Sequence, residues 1–500
     1  MNLVPKDVIL SSFPVIDSLQ QDDQPHEECG VVGAYLPGTH DASRVAFYGL
    51  FALQHRGQES AGIAAGDGRT LRNFTNMGLV AQAFRQEDLD RLPGHVAIGH
   101  TRYSTTGSSQ VMNAQPIYSR GPDVELALGH NGNIINAKDL RDRLTEWGVS
   151  CTTGTDTEVI AHLLAWAPGE TWDKKTAYLI RSIQGAYSLT IATKDTLVGI
   201  RDPMGVRPLC LGKLDGGWVI ASESCALDHL GAQFLREVEP GETIVIDQNG
   251  LRSIPSPVEG QKPATCVFEH IYFARPDSIL EGELVYASRE RMGAMLAAEH
   301  PVDADIVIGV PDSALAAAIG YAHASGIPYG YGLVKNRYVG RTFIEPDQRF
   351  RELGVRNKFN PLPEVLAGKR VIVVDDSIVR GTTTPHVIAL LRRAGAKAVH
   401  VRVCAPPISN PCHFGVDMPR KTEFIANDRS VEEIRQVIDA DSLGYLSVEG
   451  LHGAVNGDRT GSGYCNACFT GRYPMPVQLQ MDKLALETPP EEADMSSQSG

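Results

Sequence analysis

A thiol, Cys29, stands directly behind an acidic leader and opens the run CGVVGAY. An ordinary cysteine has a pKa of about 8.5, so only a few per cent is thiolate at neutral pH and a base must take its proton. Cleavage of the Glu28–Cys29 bond would create an α-amine with a pKa of about 7.7–8.0, carried by the nucleophile's own residue and matched to working pH. An intact amide has no such basicity, so removing the leader would switch the site on. Residues 1–28 carry Lys6 against Asp7, Asp17, Asp22, Asp23, Glu27 and Glu28, and they lack a signal peptide's basic start and apolar stretch. They read as a disordered acidic tail or as a removable propeptide. The residues that follow Cys29 favour the propeptide.

A second group of residues suits phosphate chemistry. In VIVVDDSIVRGTTT (371–384), an apolar strand delivers Asp375 and Asp376 to its carboxyl end, where doubly wound sheets bind ligands. Gly381, Thr382, Thr383 and Thr384 then open a helix, and its exposed amides, hydroxyls and dipole favour a phosphomonoester. Two carboxylates repel phosphate, so they should face sugar hydroxyls or a hard cation. A basic run, KNRYVGRTFI (335–344), supplies Lys335, Arg337 and Arg341. A third group is the pair Cys465 and Cys468 with the distant Cys266 and Cys412. Four thiolates suit zinc or an iron–sulfur cluster, and the spacing does not decide between them. Cys151, Cys210, Cys225 and Cys404 have no comparable context.

These residues need elements to position them. Short strand-like runs recur at 95–101, 124–132, 187–193, 218–222 and 242–250, with helical patterns at 43–54 and 156–166. The expectation for 29–258 is an α+β domain of layered antiparallel sheets. RSIPSPVEGQKPA (252–264) marks the boundary. Apolar runs at 305–313, 370–384 and 398–407, the first two leading into helices, predict an α/β domain with a doubly wound parallel sheet over 259–474. Residues 475–500 read as a disordered tail.

The 500 residues are enough for more than one core. A net charge of −14 opposes non-specific binding to nucleic acid or to anionic membranes, and no stretch of about 18 apolar residues predicts a membrane span. Nine cysteines are too few for a secreted disulfide scaffold and point to a reducing compartment, which makes a cytoplasmic location the expectation.

CGVVGAY, LQHRGQESAGIA (53–64), GHTRYSTTGSS (99–109), NAQP (113–116), GHNGNI (129–134) and TDTE (155–158) together resemble the glutaminase domain of the class II amidotransferases, whose nucleophile is N-terminal. The resemblance implies an αββα N-terminal nucleophile hydrolase fold. In it Cys29 attacks glutamine's side-chain amide, Asn131 and Gly132 form the oxyanion hole, and Arg56, Gly57, Arg102 and Asp156 bind the substrate. Arg102 would hold the α-carboxylate and Asp156 the α-ammonium. The segment 371–384 resembles the phosphoribosyl-diphosphate signature of type I phosphoribosyltransferases. That implies a 5-phosphate cradle at Arg380, Gly381, Thr382 and Thr383, with Asp375, Asp376 and Ser377 in the same site. The resemblance adds one Mg2+ per subunit near Ser313, Asp375 and Asp376, and a closing loop carrying Lys335, Arg337 and Arg341.

Both halves together resemble the amidophosphoribosyltransferase family. This implies that ammonia released at Cys29 passes internally to phosphoribosyl diphosphate and yields 5-phosphoribosylamine, glutamate and diphosphate, the first committed step of purine synthesis. One branch of the family carries a 4Fe–4S cluster, one per subunit, on cysteines placed like Cys266, Cys412, Cys465 and Cys468. The resemblance also implies a homotetramer inhibited by purine nucleotides. Relatives that share only the glutaminase half would carry sugar-isomerase repeats or an ATP diphosphate loop, and neither is visible. A catalytically dead regulator would have no need to keep Cys29, Arg102, Asn131 and Asp156.

Overall fold

The computed structural model describes residues 29–103, 107–336, 359–418, 420–457, 463–477 and 486. The leader 1–28, Arg337 and Arg341 lie outside the described residues, as does most of the expected tail. GVVGAY forms the strand Gly30–Tyr35 within a seven-stranded sheet. From edge to edge the strands are Gln233–Glu237, Cys210–Leu214, Gly217–Ala221, Gly30–Tyr35, Val96–Arg102, Ser60–Gly66 and Leu71–Met77. A second sheet of six strands runs Gly250–Ile254, Thr243–Asp247, Leu197–Arg201, Gly185–Ala192, Glu125–Ile134 and Ile117–Arg120. All neighbours in both sheets are antiparallel. The expected strand at 242–250 is instead one arm of a hairpin. It turns at Gln248 and Asn249, a sequence signal for such a turn because Gly250 follows.

Successive side chains on a strand point to opposite faces. Val31 and Tyr35 join Ile98, Ala127, Leu197 and Ile220 in a core between the two sheets. Val32 and Ala34 face outward against Ala42–Ala52 and Ser224–His229. The second sheet is covered by Ala137–Glu146, Asp156–Ala165 and Trp172–Ser182. A Cβ on Gly33 would come within 2.6 Å of Leu197 in the opposite sheet, so the small residue lets the layers close. The result is the αββα layering expected of residues 29–258.

The second half is built on a wholly parallel sheet, in the order Ile306–Gly309, Arg370–Asp375, Ala398–Val403 and Ser442–Tyr445. Its last strand, SLGY, is too short and too polar to stand out as a buried run. Helices Val285–Glu299, Leu315–Ser325, Thr383–Arg393 and Val448–Asn456 pack with the sheet into one core. The first two of these cross on glycines. A Cβ on Gly293 or Gly320 would stand 1.8 Å from a carbonyl oxygen of the facing helix.

The last strand of the six-stranded sheet ends at Ile254. Soon after it, Thr265–Cys266 pairs in parallel with Tyr464–Cys465, so Cys266 lies opposite Cys465. Within the expected tail, Leu486 is buried in the core beneath the second sheet, and its carbonyl accepts a hydrogen bond from Arg141. At that residue the expectation of disorder does not hold, because an apolar side chain has found a core to enter. No helix among the described residues is long and apolar enough to cross a membrane.

Candidate functional site

Cys29 sits at the start of its strand, 6% exposed, with its Sγ donating to the Tyr103 carbonyl at 3.3 Å. Burial pushes the thiol up to about 11; Arg102 pulls it down, while Glu59 and Asp156 add to the rise. These four side chains therefore share one electrostatic neighbourhood, although they come from separate segments. Arg102 ends the strand Val96–Arg102, beside Glu59 at 3.7 Å, and donates to the Ser108 carbonyl at 3.1 Å. Gly57 allows the preceding turn to press on that strand, since a Cβ there would lie 2.6 Å from the Thr101 carbonyl carbon.

Asp156 begins the helix Asp156–Ala165 and accepts from the Ile134 amide at 3.1 Å. Burial works against its charge, but the His130 ring at 3.7 Å and the Ile134 and Thr157 amides hold it below the usual carboxylate range. Asn131 and Gly132 lie on Glu125–Ile134, the strand that Asp156 also grips. Asn131 Nδ2 is buried and has no hydrogen-bond partner among the described residues. An unmatched buried donor costs about 1–3 kcal/mol, so it marks a place prepared for an acceptor. Gly132 has φ +141, and a Cβ there would meet the Ala186 oxygen at 2.0 Å.

Arg56, expected beside the substrate, is engaged within the protein. Its guanidinium bonds Glu223 at 2.5 Å and Glu269 at 2.7 and 3.0 Å, and its Nε donates to the Cys29 carbonyl at 3.2 Å. The three charged side chains are fully buried. Burial opposes the charge on Arg56, but the two carboxylates keep it firmly protonated. A guanidinium held in this way fixes the backbone of Cys29. Neither carboxylate was legible in the sequence, because each lies more than 160 residues from Arg56 and carries no motif of its own.

In the second half, Asp375 ends its strand, and Asp376 and Ser377 follow, all three buried. Ser313 and Ser377 both donate to Asp376, the latter at 2.7 Å. Gly381, at φ +73, turns the chain into the helix Thr383–Arg393. Beside that helix N-terminus, Thr382 Oγ1 is buried without a hydrogen-bond partner among the described residues. Arg380 pairs with Glu423 at 3.1 Å, and Lys335 with Asp312 at 3.2 Å.

Cys266, Cys412, Cys465 and Cys468 line one cavity with Phe268, Phe414 and Tyr473. None is in a disulfide. Burial, with the charge of the neighbouring thiols, pushes Cys465 up to about 12 and raises Cys468 well above the ordinary thiol range.

A family model described as a glutamine amidotransferase domain matches residues 100–229. The amidophosphoribosyltransferase of Synechococcus elongatus is 48% identical over 494 residues, which is 97% of this chain and 99% of that protein. The chain belongs to the amidophosphoribosyltransferase family. The Archaeoglobus fulgidus amidophosphoribosyltransferase is 50% identical over 451 residues, 90% of this chain and 98% of that one. The glutamine phosphoribosylpyrophosphate amidotransferase of B. subtilis, solved with ADP and GMP, superposes with a TM-score of 0.85 at 46% identity, over 91% of this chain and 99% of that one. An amidophosphoribosyltransferase is a glycosyltransferase of purine biosynthesis, and both halves of this chain are present for that activity.

Two outcomes follow from the glutaminase site. Arg56→Ala and Glu269→Ala should each lower the thermal midpoint by roughly 5–10 °C, and the double variant should fall little further, because one buried pair is broken in all three. Additive losses would show that the two residues act separately. In the chain with its leader attached, alkylation of Cys29 by iodoacetamide should quicken about tenfold per pH unit from 7 to 9, since the thiol titrates near 11. A plateau by pH 8, read by mass spectrometry, would contradict the burial effect.

Proposed function

We propose that the two sites carry out the amidophosphoribosyltransferase reaction in sequence, with the residues named above in the following roles. Cys29 Sγ attacks the amide carbon of glutamine, and the α-amine exposed by loss of residues 1–28 accepts the thiol proton. Asn131 Nδ2 and the Gly132 amide receive the developing oxyanion. The carbon–nitrogen bond breaks, ammonia leaves, and water hydrolyses the thioester to glutamate. Arg102 pairs with the substrate's α-carboxylate and Asp156 with its α-ammonium. The unmatched Nδ2 of Asn131, buried on the strand held by Asp156, is the observation that carries this reading.

At the second site the 5-phosphate sits over the N-terminus of Thr383–Arg393, where Thr382 Oγ1 awaits a partner and Arg380, Gly381 and Thr383 complete the turn. Asp375 and Asp376 take the ribose hydroxyls, with Ser377 bracing Asp376. Lys335 attracts the diphosphate, and Arg337 and Arg341 follow it in the chain. Ammonia forms the bond to the anomeric carbon as the bond to diphosphate breaks, and the ammonium nitrogen loses a proton. Two carboxylates and the Ser313 hydroxyl are a thin ligand set. That suits Mg2+, one per subunit, which takes most of its oxygens from water and substrate and supplies neutralising charge to the diphosphate.

The four-cysteine cavity fits a 4Fe–4S cluster. Four cysteines spread around one apolar cavity suit a larger polynuclear centre, which would stabilise thiolates that burial alone disfavours. The amide of Phe414 donates to Cys412 Sγ at 3.3 Å, a contact that suits a sulfur ligand. Purine nucleotides are proposed as inhibitors, because the B. subtilis relative is solved with ADP and GMP. A homotetrameric cytoplasmic enzyme completes the proposal.

Cys29→Ala should abolish synthesis from glutamine and retain synthesis from added ammonia. With the parent enzyme, nitrogen from amide-labelled glutamine should appear on the ribose product, and its absence would remove the two-site scheme. Anaerobically purified protein should hold about four irons per chain, in keeping with one four-iron cluster on four cysteines. A colourless, active, zinc-loaded preparation would reassign the cysteines.

A further inference from the structure

The cavity cysteines and the glutaminase are joined by a short segment that no motif marks. After Cys412, the His413 carbonyl accepts from Asn133 Nδ2 at 3.1 Å. The Phe414 carbonyl accepts from Arg207 Nε at 2.9 Å. Gly415 then lies directly on the oxyanion strand, where a Cβ would come within 2.9 Å of both Cα and the carbonyl carbon of Gly132. Gly415 has φ +109, which glycine alone adopts freely. His413, Phe414, Gly415, Gly132, Asn133 and Arg207 are all buried. Arg207 in turn lies 3.8 Å from Glu269, the partner of Arg56, which holds the Cys29 carbonyl. The nucleophile's backbone and the oxyanion strand are thus both braced against the second half, the one through Glu269 and the other through residues 413–415, and Arg207 touches both braces.

We propose that Gly415, with the carbonyls of His413 and Phe414, positions the glutaminase oxyanion hole. The inference rests on the roles given above to Asn131 and Gly132. A backbone-on-backbone contact leaves no flexible side chain to absorb an added methyl group. The strand must shift, and with it the Gly132 amide and the neighbouring Asn131 side chain. Donors aimed at an oxyanion act over a narrow range of distance, so the shift is felt in the chemical step more than in glutamine binding.

The test compares Gly415→Ala, Asn133→Ser and Asn131→Ala in the full enzyme purified anaerobically. Gly415→Ala and Asn133→Ser should lower kcat for glutamine hydrolysis by roughly 10- to 100-fold, with the glutamine KM changed by less than about threefold. Synthesis from added ammonia, iron content and alkylation of Cys29 by iodoacetamide should stay at parent values. A merely structural role would lower all of these together, and that result overturns the proposal. Parent-like hydrolysis in both variants, beside a loss in Asn131→Ala, also overturns it. Parent-like hydrolysis in Asn131→Ala would instead remove the reading of the oxyanion hole, and the inference with it.

Discussion

The buried pairing of Arg56 with Glu223 and Glu269 is the constraint on which the rest of the molecule depends. A guanidinium out of water is tolerable only when its charge and its fork of donors are met. Here the partners come from both sides of the junction. Glu223 adjoins the first sheet, whereas Glu269 lies just after Cys266. Directional bonds of this kind set register as well as attraction. Glu223 also accepts from the Ser278 hydroxyl and the Arg275 amide, which ties the following loop to the same point. The two halves therefore meet at one fixed relative position, and the Cys29 carbonyl is part of that meeting.

Fixed docking matters because of what passes between the halves. Ammonia in bulk water at neutral pH is protonated and loses the lone pair that attacks the sugar. A junction that did not close would leak it. Buried Arg289 belongs to the same boundary, donating to the His270 and Ala274 carbonyls at 2.8 and 2.7 Å. Its charge feels Asp376 on one side and Glu223 on the other. The segment after Cys266 thus lies between the two chemistries, held by an arginine from each half.

The chemistry-bearing groups were legible in the sequence where they sit in contiguous runs. Cys29 before a strand, Asn131-Gly132 within one, and Asp375-Asp376 ahead of a glycine and threonines all declare strand ends and tight turns by residue type. The layered sheets were legible for the same reason, since alternation along a strand is a local property. What was not legible is long-range. Arg56 reads in the sequence as a substrate ligand, but an arginine in a motif looks the same whether it faces a ligand or a distant carboxylate. Ser442–Tyr445 escaped notice because four residues with a serine and a glycine do not form an apolar run. Gly415 gave no signal, for its importance lies in the backbone it touches across more than 280 residues of chain.

The pairing of Cys266 with Cys465 also orders events in time. A ribosome delivering this polypeptide releases the first sheets, and Cys29 within them, long before Tyr464–Cys465 exists to sit beside Thr265–Cys266. The cavity between the four thiols cannot close until translation is nearly over. The cysteine-lined cavity is therefore assembled late in the protein's biogenesis, and a prematurely terminated product would carry a folded hydrolase layer without it.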